Sequence, residues 1–394
     1  MTLSQIFFYI SISLQLLVLL PSTAHSQQTI NIAYLAQEQA ETQSLSNLDP
    51  FIKNLGEIGA ELGVDDNNTT GQFTGQHYAL KKFIVPLGAD VNEVFAKQIA
   101  GKYAFVISML SPAALIPIAQ SPLSASMLIF DAATRDDALR NEQCQRQVLH
   151  LLPTRAMRAD ALGQYLMKKR WTKWFLVSGQ TAEDHLFVEA LKRAAKRYNM
   201  NIVAEKTWEH TFDARRTAQA DVAVFSQIDE DYDVLVVADE QGLFGDYLDY
   251  RTWVPRPIVG THGLVATAWH RTHEQWGATQ IQNRFKAKAE RWMDEKDYAA
   301  YLAVRAVGEA VTRTRSMEVQ AIKDYLYSDD QLALQGYKGS PLSFRSWDGQ
   351  LRQPVLLAAP RAMVAVAPIE GFLHPKTELD TLGYDQPETH CQWN

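Results

Sequence analysis

The sequence has little of what several functional classes need. Only two of its 394 residues are cysteine, too few for a disulfide-dense scaffold or a four-cysteine zinc site. Positive charge is not in excess, since 38 Lys and Arg face 45 Asp and Glu and the formal net charge is −7. Nucleic-acid binding needs clustered positive charge, so this balance argues against a nucleic-acid partner.

Short enzyme motifs are also missing from the sequence. It contains no phosphate-binding G-x-x-x-x-G-K-[ST], no dinucleotide-binding G-x-G-x-x-G and no G-x-S-x-G nucleophile turn. The acidic stretch 229–233 has neither the glycine nor the final glutamate of a calcium loop. We therefore expect a protein that is not an enzyme and that has no resident cofactor.

One stretch, Asp65-Asp66-Asn67-Asn68, concentrates oxygen ligands that could hold a hard cation. The same residue types favour helix ends and turns, and a glycine follows at position 71. The pattern favours a helix cap and a chain turn here, with a metal site as the alternative.

Long hydrophobic runs are absent except near the amino terminus, where residues 6–20 are nearly all apolar. Pro21 ends this run, and Ala24 and Ser26 are small residues at the two positions that a signal peptidase reads. The run is shorter than the roughly 20 residues that a membrane-spanning helix needs. We predict a signal peptide over residues 1–26 that is cleaved on export, with an uncleaved membrane anchor as the alternative.

Export would place both cysteines, Cys144 and Cys391, in an oxidising compartment, where cysteines commonly pair. We predict one disulfide between them, which would hold the C-terminal tail against a point near mid-chain. Two buried, unpaired thiols are the alternative.

Short apolar runs alternate with longer amphipathic ones from residue 27 onward. Strands are predicted at 30–35, 104–109, 174–177 and 234–238, because continuous apolar runs suit a parallel sheet covered on both faces. Helical spacing of apolar residues follows at 187–198 and 299–310, and a terminal hairpin is predicted over 355–366. The alternation runs twice, which predicts an α/β fold with doubly wound units. A third block, 274–330, is helical and must cover an existing sheet.

Several long stretches carry a resemblance to a known family. They read DNNTTGQFTG (66–75), EQC (142–144), YDVLVVADE (232–240), HEQWGATQ (273–280) and WDGQLRQP (347–354), followed by related segments within 371–385. Over about 28–370 the chain resembles the type I periplasmic binding proteins of ABC transporters, of the leucine/isoleucine/valine-binding kind. Within that group it is similar to a narrower family of substrate-binding proteins that accompany PQQ-dependent alcohol dehydrogenases.

This resemblance implies two doubly wound lobes joined by a three-stranded hinge, with crossings near residues 151, 269 and 342. The N-terminal lobe would hold 27–151 and 270–341. The C-terminal lobe would hold 152–269 and 342–372, and a C-terminal tail would follow over 373–394.

Candidate binding residues of the first lobe come from the loops that follow its strands. Ser111 matches the serine that takes the ligand carboxylate in amino-acid binders, and Thr134 matches a hydroxyl of the next loop. Arg135 lies beside Thr134 and favours an anionic ligand.

In the second lobe, the resemblance places His262 on the facing side of the cleft, and Glu240 and Tyr247 face the same region by position. A purely structural role is the alternative for each of these side chains. His262 stands where amino-acid binders carry the carboxylate that holds the ligand's ammonium group. A neutral imidazole is a poor substitute for that carboxylate, which argues against an amino-acid ligand.

The function that the resemblance implies is a periplasmic solute-binding protein. It would capture a small polar ligand between two lobes as a monomer and deliver it to an ABC permease of the inner membrane. The family also implies a link to components of a PQQ-dependent alcohol oxidation system. The alternatives are a non-transport sensor or accessory protein of that dehydrogenase system, and a metal or cofactor carrier.

Overall fold

The computed structural model describes residues 28–41, 51–209, 218–249, 251–328 and 332–393. The predicted signal peptide lies outside these residues. Within them, the chain forms two large sheets with helices packed on them, as predicted for an α/β fold. Across the described part of the chain, no helix combines the length and the apolar character needed to cross a membrane.

The first sheet is parallel throughout and has the strand order β2-β1-β3-β4-β5. Its strands are β1 (Gln28–Gln37), β2 (Gln76–Val85), β3 (Phe105–Met109), β4 (Leu128–Asp131) and β5 (Val148–His150). Every residue of β3 and β4 is buried, as expected of strands covered on both faces. The strands predicted at 30–35 and 104–109 are confirmed.

The second sheet has the strand order β14-β13-β10-β9-β8-β6-β7. Its strands are β6 (Lys173–Ser178), β7 (Asn201–Thr207), β8 (Val234–Ala238), β9 (Ile258–Gly260), β10 (Leu264–Thr267), β13 (Val355–Ala359) and β14 (Ala362–Ala367). Strands β6 to β10 are parallel, whereas β13 pairs antiparallel with both β10 and β14. The predicted terminal hairpin is therefore confirmed. A separate antiparallel pair joins β11 (Ser343–Phe344) to β12 (Leu351–Arg352).

The α-helices of the described residues lie between these strands. They are α1 (Glu57–Thr74), α2 (Val91–Val94), α3 (Pro112–Gln120), α4 (Arg155–Lys169), α5 (Ala182–Arg197), α6 (Ala218–Phe225), α7 (Gly245–Leu248), α8 (Ala278–Ala289), α9 (Glu295–Thr314) and α10 (Val319–Leu326). Capping boxes begin two of them, with Thr181 and Asp184 at α5 and Asp294 and Asp297 at α9.

Helices α8 to α10 pack on the first sheet, although they follow most of the second sheet in sequence. Tyr298 and Val307 of α9 share one apolar cluster with Ile32 of β1 and Ile107 of β3. We call the first sheet and the helices packed on it the first lobe. The second lobe is the second sheet with α4 and α5, whose buried faces share a cluster with β6 and β8.

Three segments carry the chain between the lobes. They run from β5 to α4, from β10 to α8, and from α10 to β13. The side-chain amides of Gln350 and Gln353 donate to the carbonyl oxygens of Leu152 and Leu151 at 3.0 and 2.5 Å, so the first and third segments are tied together. The exact positions of the lobe boundaries, near residues 151, 269 and 342, stay a prediction.

The chain turn predicted for the acidic Asp-Asn stretch is wrong, because α1 continues through it to Thr74. The carboxylate of Asp66 accepts a hydrogen bond of 2.8 Å from the Tyr301 hydroxyl, and the Asn67 amide donates to the Val304 carbonyl at 2.8 Å. Partners on α9 thus engage side chains whose local preference is for caps and turns. The residues that the structure describes contain no group of His, Cys, Asp and Glu able to hold a metal ion.

The C-terminal tail contacts both lobes. On the second lobe, the Arg193 guanidinium lies 4.1 Å from the centre of the Tyr384 ring and donates to the Gly383 carbonyl at 2.8 Å. On the first lobe, Cys391 is disulfide-bonded to Cys144 in the loop before β5, with Cα atoms 5.6 Å apart. The tail therefore spans the two lobes.

Candidate ligand-binding cleft

A cavity of about 480 Å³ opens at the carboxyl edge of the first sheet. Strand β1 ends beside it at Gln37, β3 ends there at Met109, and the loop after β4 contributes Ala133. Its apolar wall includes Leu55, Ile84 and Leu87. In doubly wound sheets, ligands bind in the crevice beyond the carboxyl ends of the strands, so this cavity is the candidate site.

Lys296 lines the same cavity from the first turn of α9. Its backbone N–H donates to the capping carboxylate of Asp294 at 2.9 Å, which fixes the residue at the start of the helix. The Lys296 side chain is half-buried, and its Nζ has no hydrogen-bond or ion-pair partner among the described residues. Burial, and then the charge of Arg135, lower the pKa of the Lys296 ammonium group.

Ser111 and Thr134 follow β3 and β4 but differ in their surroundings. Ser111 is exposed at the start of α3, and its hydroxyl makes no capping hydrogen bond to that helix. Thr134 is buried, and its hydroxyl donates to Asp131 and accepts a hydrogen bond of 3.0 Å from Arg140. The Thr134 hydroxyl is thus engaged within the first lobe. The roles of both residues in ligand binding stay predictions.

Asp131 connects this loop to the start of the first crossing segment. Its carboxylate lies 2.8 Å from Nδ1 of His150 at the end of β5. Burial opposes ionisation of Asp131, but His150 and Arg140 outweigh this effect and lower the pKa of the carboxyl group. Burial, and then the charge of Arg140, lower the pKa of His150 to about 4. At neutral pH a neutral imidazole therefore donates its Nδ1 proton to the Asp131 carboxylate.

Arg135 forms an ion pair with Glu295 at the start of α9. Glu295 also accepts hydrogen bonds from the Thr267 hydroxyl at 2.7 Å and from the Ala268 backbone N–H at 2.9 Å. Burial opposes ionisation of Glu295, but Arg135 and then Arg158 lower its pKa. The Arg135 guanidinium is thus engaged by a protein carboxylate at the second crossing, and its role toward a ligand stays a prediction.

Glu240 follows β8 and pairs with two arginines of α4. Its carboxylate oxygens lie 2.9 Å from Nη2 of Arg155 and 3.3 Å from Nη1 of Arg158. Burial opposes ionisation of Glu240, but Arg158, Arg135 and Arg155 lower its pKa. Because Arg135 belongs to the first lobe and Glu240 to the second, charges of the two lobes meet here.

His262 and Tyr247 lie near the carboxyl edge of the second sheet in different surroundings. Nδ1 of His262 is 3.0 Å from the Thr261 hydroxyl, and Nε2 is 3.7 Å from a carboxylate oxygen of Asp246. Tyr247 is buried in an apolar cluster that includes Phe244. Tyr247 therefore packs in the core of the second lobe, and the ligand-binding roles of both residues stay predictions.

The structure brings some of the predicted residues together. Arg135 and Glu240 belong to one cluster of charges between the lobes, to which Glu295 also contributes. Ser111 and His262 lie at the edges of different sheets, each in its own lobe.

Sequence reasoning missed Lys296, because the run Asp294-Glu295-Lys296-Asp297 has the composition of a solvated helix start. The only available signal was the capping pattern of Asp294 and Asp297, which marks where the helix begins. That pattern says nothing about which cavity the first turn faces.

No protein-family profile and no curated protein matches the chain. Solved structures do match it. A periplasmic binding protein from Burkholderia mallei is 14% identical, covers 92% of this chain and 98% of its own, and has a TM-score of 0.64. A branched-chain amino acid ABC transporter periplasmic ligand-binding protein from Burkholderia xenovorans LB400 is 15% identical, covers 86% and 95%, and has a TM-score of 0.67.

The chain has the type I periplasmic binding protein fold. A third structure agrees, a leucine-, isoleucine-, valine-, threonine- and alanine-binding protein from Brucella ovis in a closed conformation. It is 14% identical, covers 84% of this chain and 90% of its own, and has a TM-score of 0.66. The predicted fold class is thereby confirmed. In this periplasmic binding protein fold, the cavity beside Lys296 lies at the carboxyl edge of the first lobe.

Proposed function

We propose that the protein is a periplasmic solute-binding protein that captures a small polar molecule between its lobes and delivers it to an ABC permease. The observation that carries this proposal is the cavity at the carboxyl edge of the first sheet. Its volume of about 480 Å³ is in the range of small-molecule sites, about 300–1,000 Å³. The fold neighbours support the proposal, since their names describe ligand-binding proteins of ABC transporters.

Capture would proceed by hinge closure without a covalent step. The two lobes would close on the ligand, with the three crossing segments as the hinge. Lys338 is buried at this hinge and donates to the Gln353 side chain at 2.6 Å and to the Pro354 carbonyl at 3.0 Å. Together with the bonds of Gln350 and Gln353 to the first segment, these contacts would keep the crossing segments in register during closure.

A panel of ligands in a thermal-shift experiment tests the solute-binding proposal. The panel contains branched-chain amino acids, short alcohols, short carboxylates, PQQ, and calcium and lanthanide ions. A ligand at 100 times its dissociation constant stabilises the protein by about 2.7 kcal/mol, which raises the unfolding midpoint by several degrees. We expect such a shift with one class of organic solute. A shift with metal ions alone, or with no member of the panel, contradicts the proposal.

We further propose, on the sequence resemblance alone, that the solute belongs to a PQQ-dependent alcohol oxidation system. The compounds of the panel that belong to this oxidation system are PQQ itself, the alcohols and the acids that alcohol oxidation produces. Titration calorimetry on the same purified protein gives the ranking of their affinities. If amino acids bind and none of these compounds does, the link to the oxidation system is wrong while the solute-binding role stands.

A further inference from the structure

We infer that Lys296 determines the specificity of the cleft and that the ligand is a small organic monocarboxylate whose carboxylate lies against the Lys296 ammonium. This inference rests on the proposed solute-binding function and names the chemical class of the ligand. It is carried by the position of Lys296 in the wall of the cavity and by the protein partners that already engage the carboxylates of Asp294, Glu295 and Glu240.

The cationic side chains among the described residues that line the cavity are Lys53 and Lys296. They differ in their surroundings. Lys53 is largely exposed and forms an ion pair with Glu41, so its charge is balanced at the rim. Lys296 is half-buried and its Nζ has no such partner within the described chain. The cavity therefore contains one cation that a ligand can neutralise.

Acidic residues lie close to Lys296 in the chain, but their oxygens have other partners. The Asp294 carboxylate accepts hydrogen bonds from backbone N–H groups in the first turn of α9. The Glu295 carboxylate pairs with Arg135 and accepts hydrogen bonds from two residues at the start of the second crossing. Glu240 is held by two arginines of α4. A half-buried charge without a hydrogen-bonded partner is unfavourable, so a ligand that brings a carboxylate gains the interaction that the protein does not supply.

The rest of the cavity limits the ligand to one negative charge and an apolar body. Leu55 and Met109 form part of its wall, and the Tyr34 hydroxyl is already bonded to the Leu55 carbonyl at 2.8 Å. Glu38 and Glu57 also line the cavity. Their carboxylates would repel a second negative charge on the ligand, which disfavours dicarboxylates.

The test compares butyrate with 1-butanol, butyramide and succinate by titration calorimetry on the purified protein. For the wild type, we expect butyrate to bind at least tenfold more tightly than the two neutral compounds and succinate. The variant Lys296→Met keeps an unbranched side chain, one atom shorter, but removes the charge, and it should lose this preference. Lys296→Arg should retain it, because the positive charge remains.

Lys97→Met is the matched control, since Lys97 is an exposed lysine of the first lobe that does not line the cavity. We expect it to bind butyrate within twofold of the wild type. Circular dichroism and the unfolding midpoint of each variant show that it has folded. A Lys296→Met protein that is folded and still prefers butyrate overturns the inference.

The wild-type outcomes separate this inference from the proposed function. Binding of the neutral compounds or of amino acids, with no preference for butyrate, overturns the role of Lys296 and leaves the solute-binding role in place. If no organic solute in either experiment binds the wild type, both proposals are wrong.

Discussion

Around Asp131, the polar groups of a loop that resembles a ligand-binding loop are already hydrogen-bonded to other residues of the first lobe. The buried carboxylate accepts hydrogen bonds from the Thr134 hydroxyl and backbone N–H, the latter at 3.0 Å, and it faces the His150 imidazole. Arg140 adds a positive charge on the same side, 3.7 Å from the carboxylate. Because His150 lies at the start of the first crossing, its protonation would place a second positive charge next to Arg140 in the buried interior.

The first residue-scale prediction concerns acid stability. Unfolded His150 takes up a proton near its ordinary pKa of about 6.5, whereas in the fold its pKa is about 4. The unfolded state therefore binds more protons between these pH values, and stability falls as pH drops from about 6.5 towards 4. The lowered pKa of Asp131 acts in the same direction at lower pH, since its contribution is present above its unfolded pKa and is lost as pH falls through the folded value.

Urea unfolding at pH 7.0, 5.5 and 4.5 measures this effect. In His150→Gln the loss of stability across this interval should shrink by on the order of 2 kcal/mol relative to the wild type. The exposed His77 provides the matched control, and His77→Gln should keep the wild-type slope. If the two variants show the same pH dependence of stability, His150 is not the source of the loss of stability at low pH.

Among the elements, α1 and α9 of the first lobe approach each other closely because glycines of α1 face α9. A Cβ at Gly59 would collide with the backbone carbonyl of Asp297, and one at Gly63 would lie 2.8 Å from Cβ of Val304. The same contact accounts for the Asp-Asn stretch of α1, because Tyr301 and the Val304 carbonyl lie within hydrogen-bond reach of it. The small residues therefore set the position of α9, and with it the position of Lys296 at the cavity.

The element-scale prediction is that Gly59→Ala destabilises the protein by about 1–3 kcal/mol, because the added methyl group meets backbone that cannot move aside cheaply. Chemical denaturation gives the free energy of unfolding. Gln72→Ala on the exposed face of the same helix is the control and should change it by about 0.5 kcal/mol or less. If Gly59→Ala leaves the free energy of unfolding unchanged, α1 and α9 can move apart without loss of stability, and the prediction is wrong.

At the scale of the whole molecule, the C-terminal tail adds a connection between the lobes beyond the three crossings. Buried Asp380 accepts hydrogen bonds from Arg345 at 2.8 Å and from Arg352 at 2.9 Å, which hold the tail beside the third crossing. The disulfide then joins residues separated by 247 positions in sequence. The tail is thus held by ion pairs at one end and by a covalent bond at the other.

Removing this bond in the double variant Cys144→Ser, Cys391→Ser should lower the free energy of unfolding by about 4–5 kcal/mol, because the disulfide restricts the unfolded chain over a long loop. Urea unfolding measures the loss. Reduction of the wild type by dithiothreitol is the control, since the sequence has no other cysteines. A loss below about 1 kcal/mol in both samples would show that the ion pairs of the tail are sufficient.

Much of the fold follows from local sequence patterns. The strand predicted at 234–238 is β8, and the helical spacing over 299–310 lies within α9. Apolar runs and helical spacing determine which face of an element must leave water, so they can be recognised without knowing the partner. For the candidate site, the same logic directs attention to the loops after the strands, but Ser111, Arg135 and Glu240 on those loops are not among the described residues that line the cavity.

The sequence by itself determined the strands at 30–35, 104–109, 174–177 and 234–238, the terminal hairpin, the helices over 187–198 and 299–310 and the α/β class. These features depend on residues that are neighbours in the chain. Only the tertiary structure decided that α9 packs on α1, that the Thr134 hydroxyl donates a hydrogen bond to Asp131, and that Lys296 lines the cavity. Each of these depends on groups brought together by folding. Asp66 and Tyr301, for example, lie 235 positions apart. A periodic pattern records that a side chain is buried, but it does not record which distant group it meets.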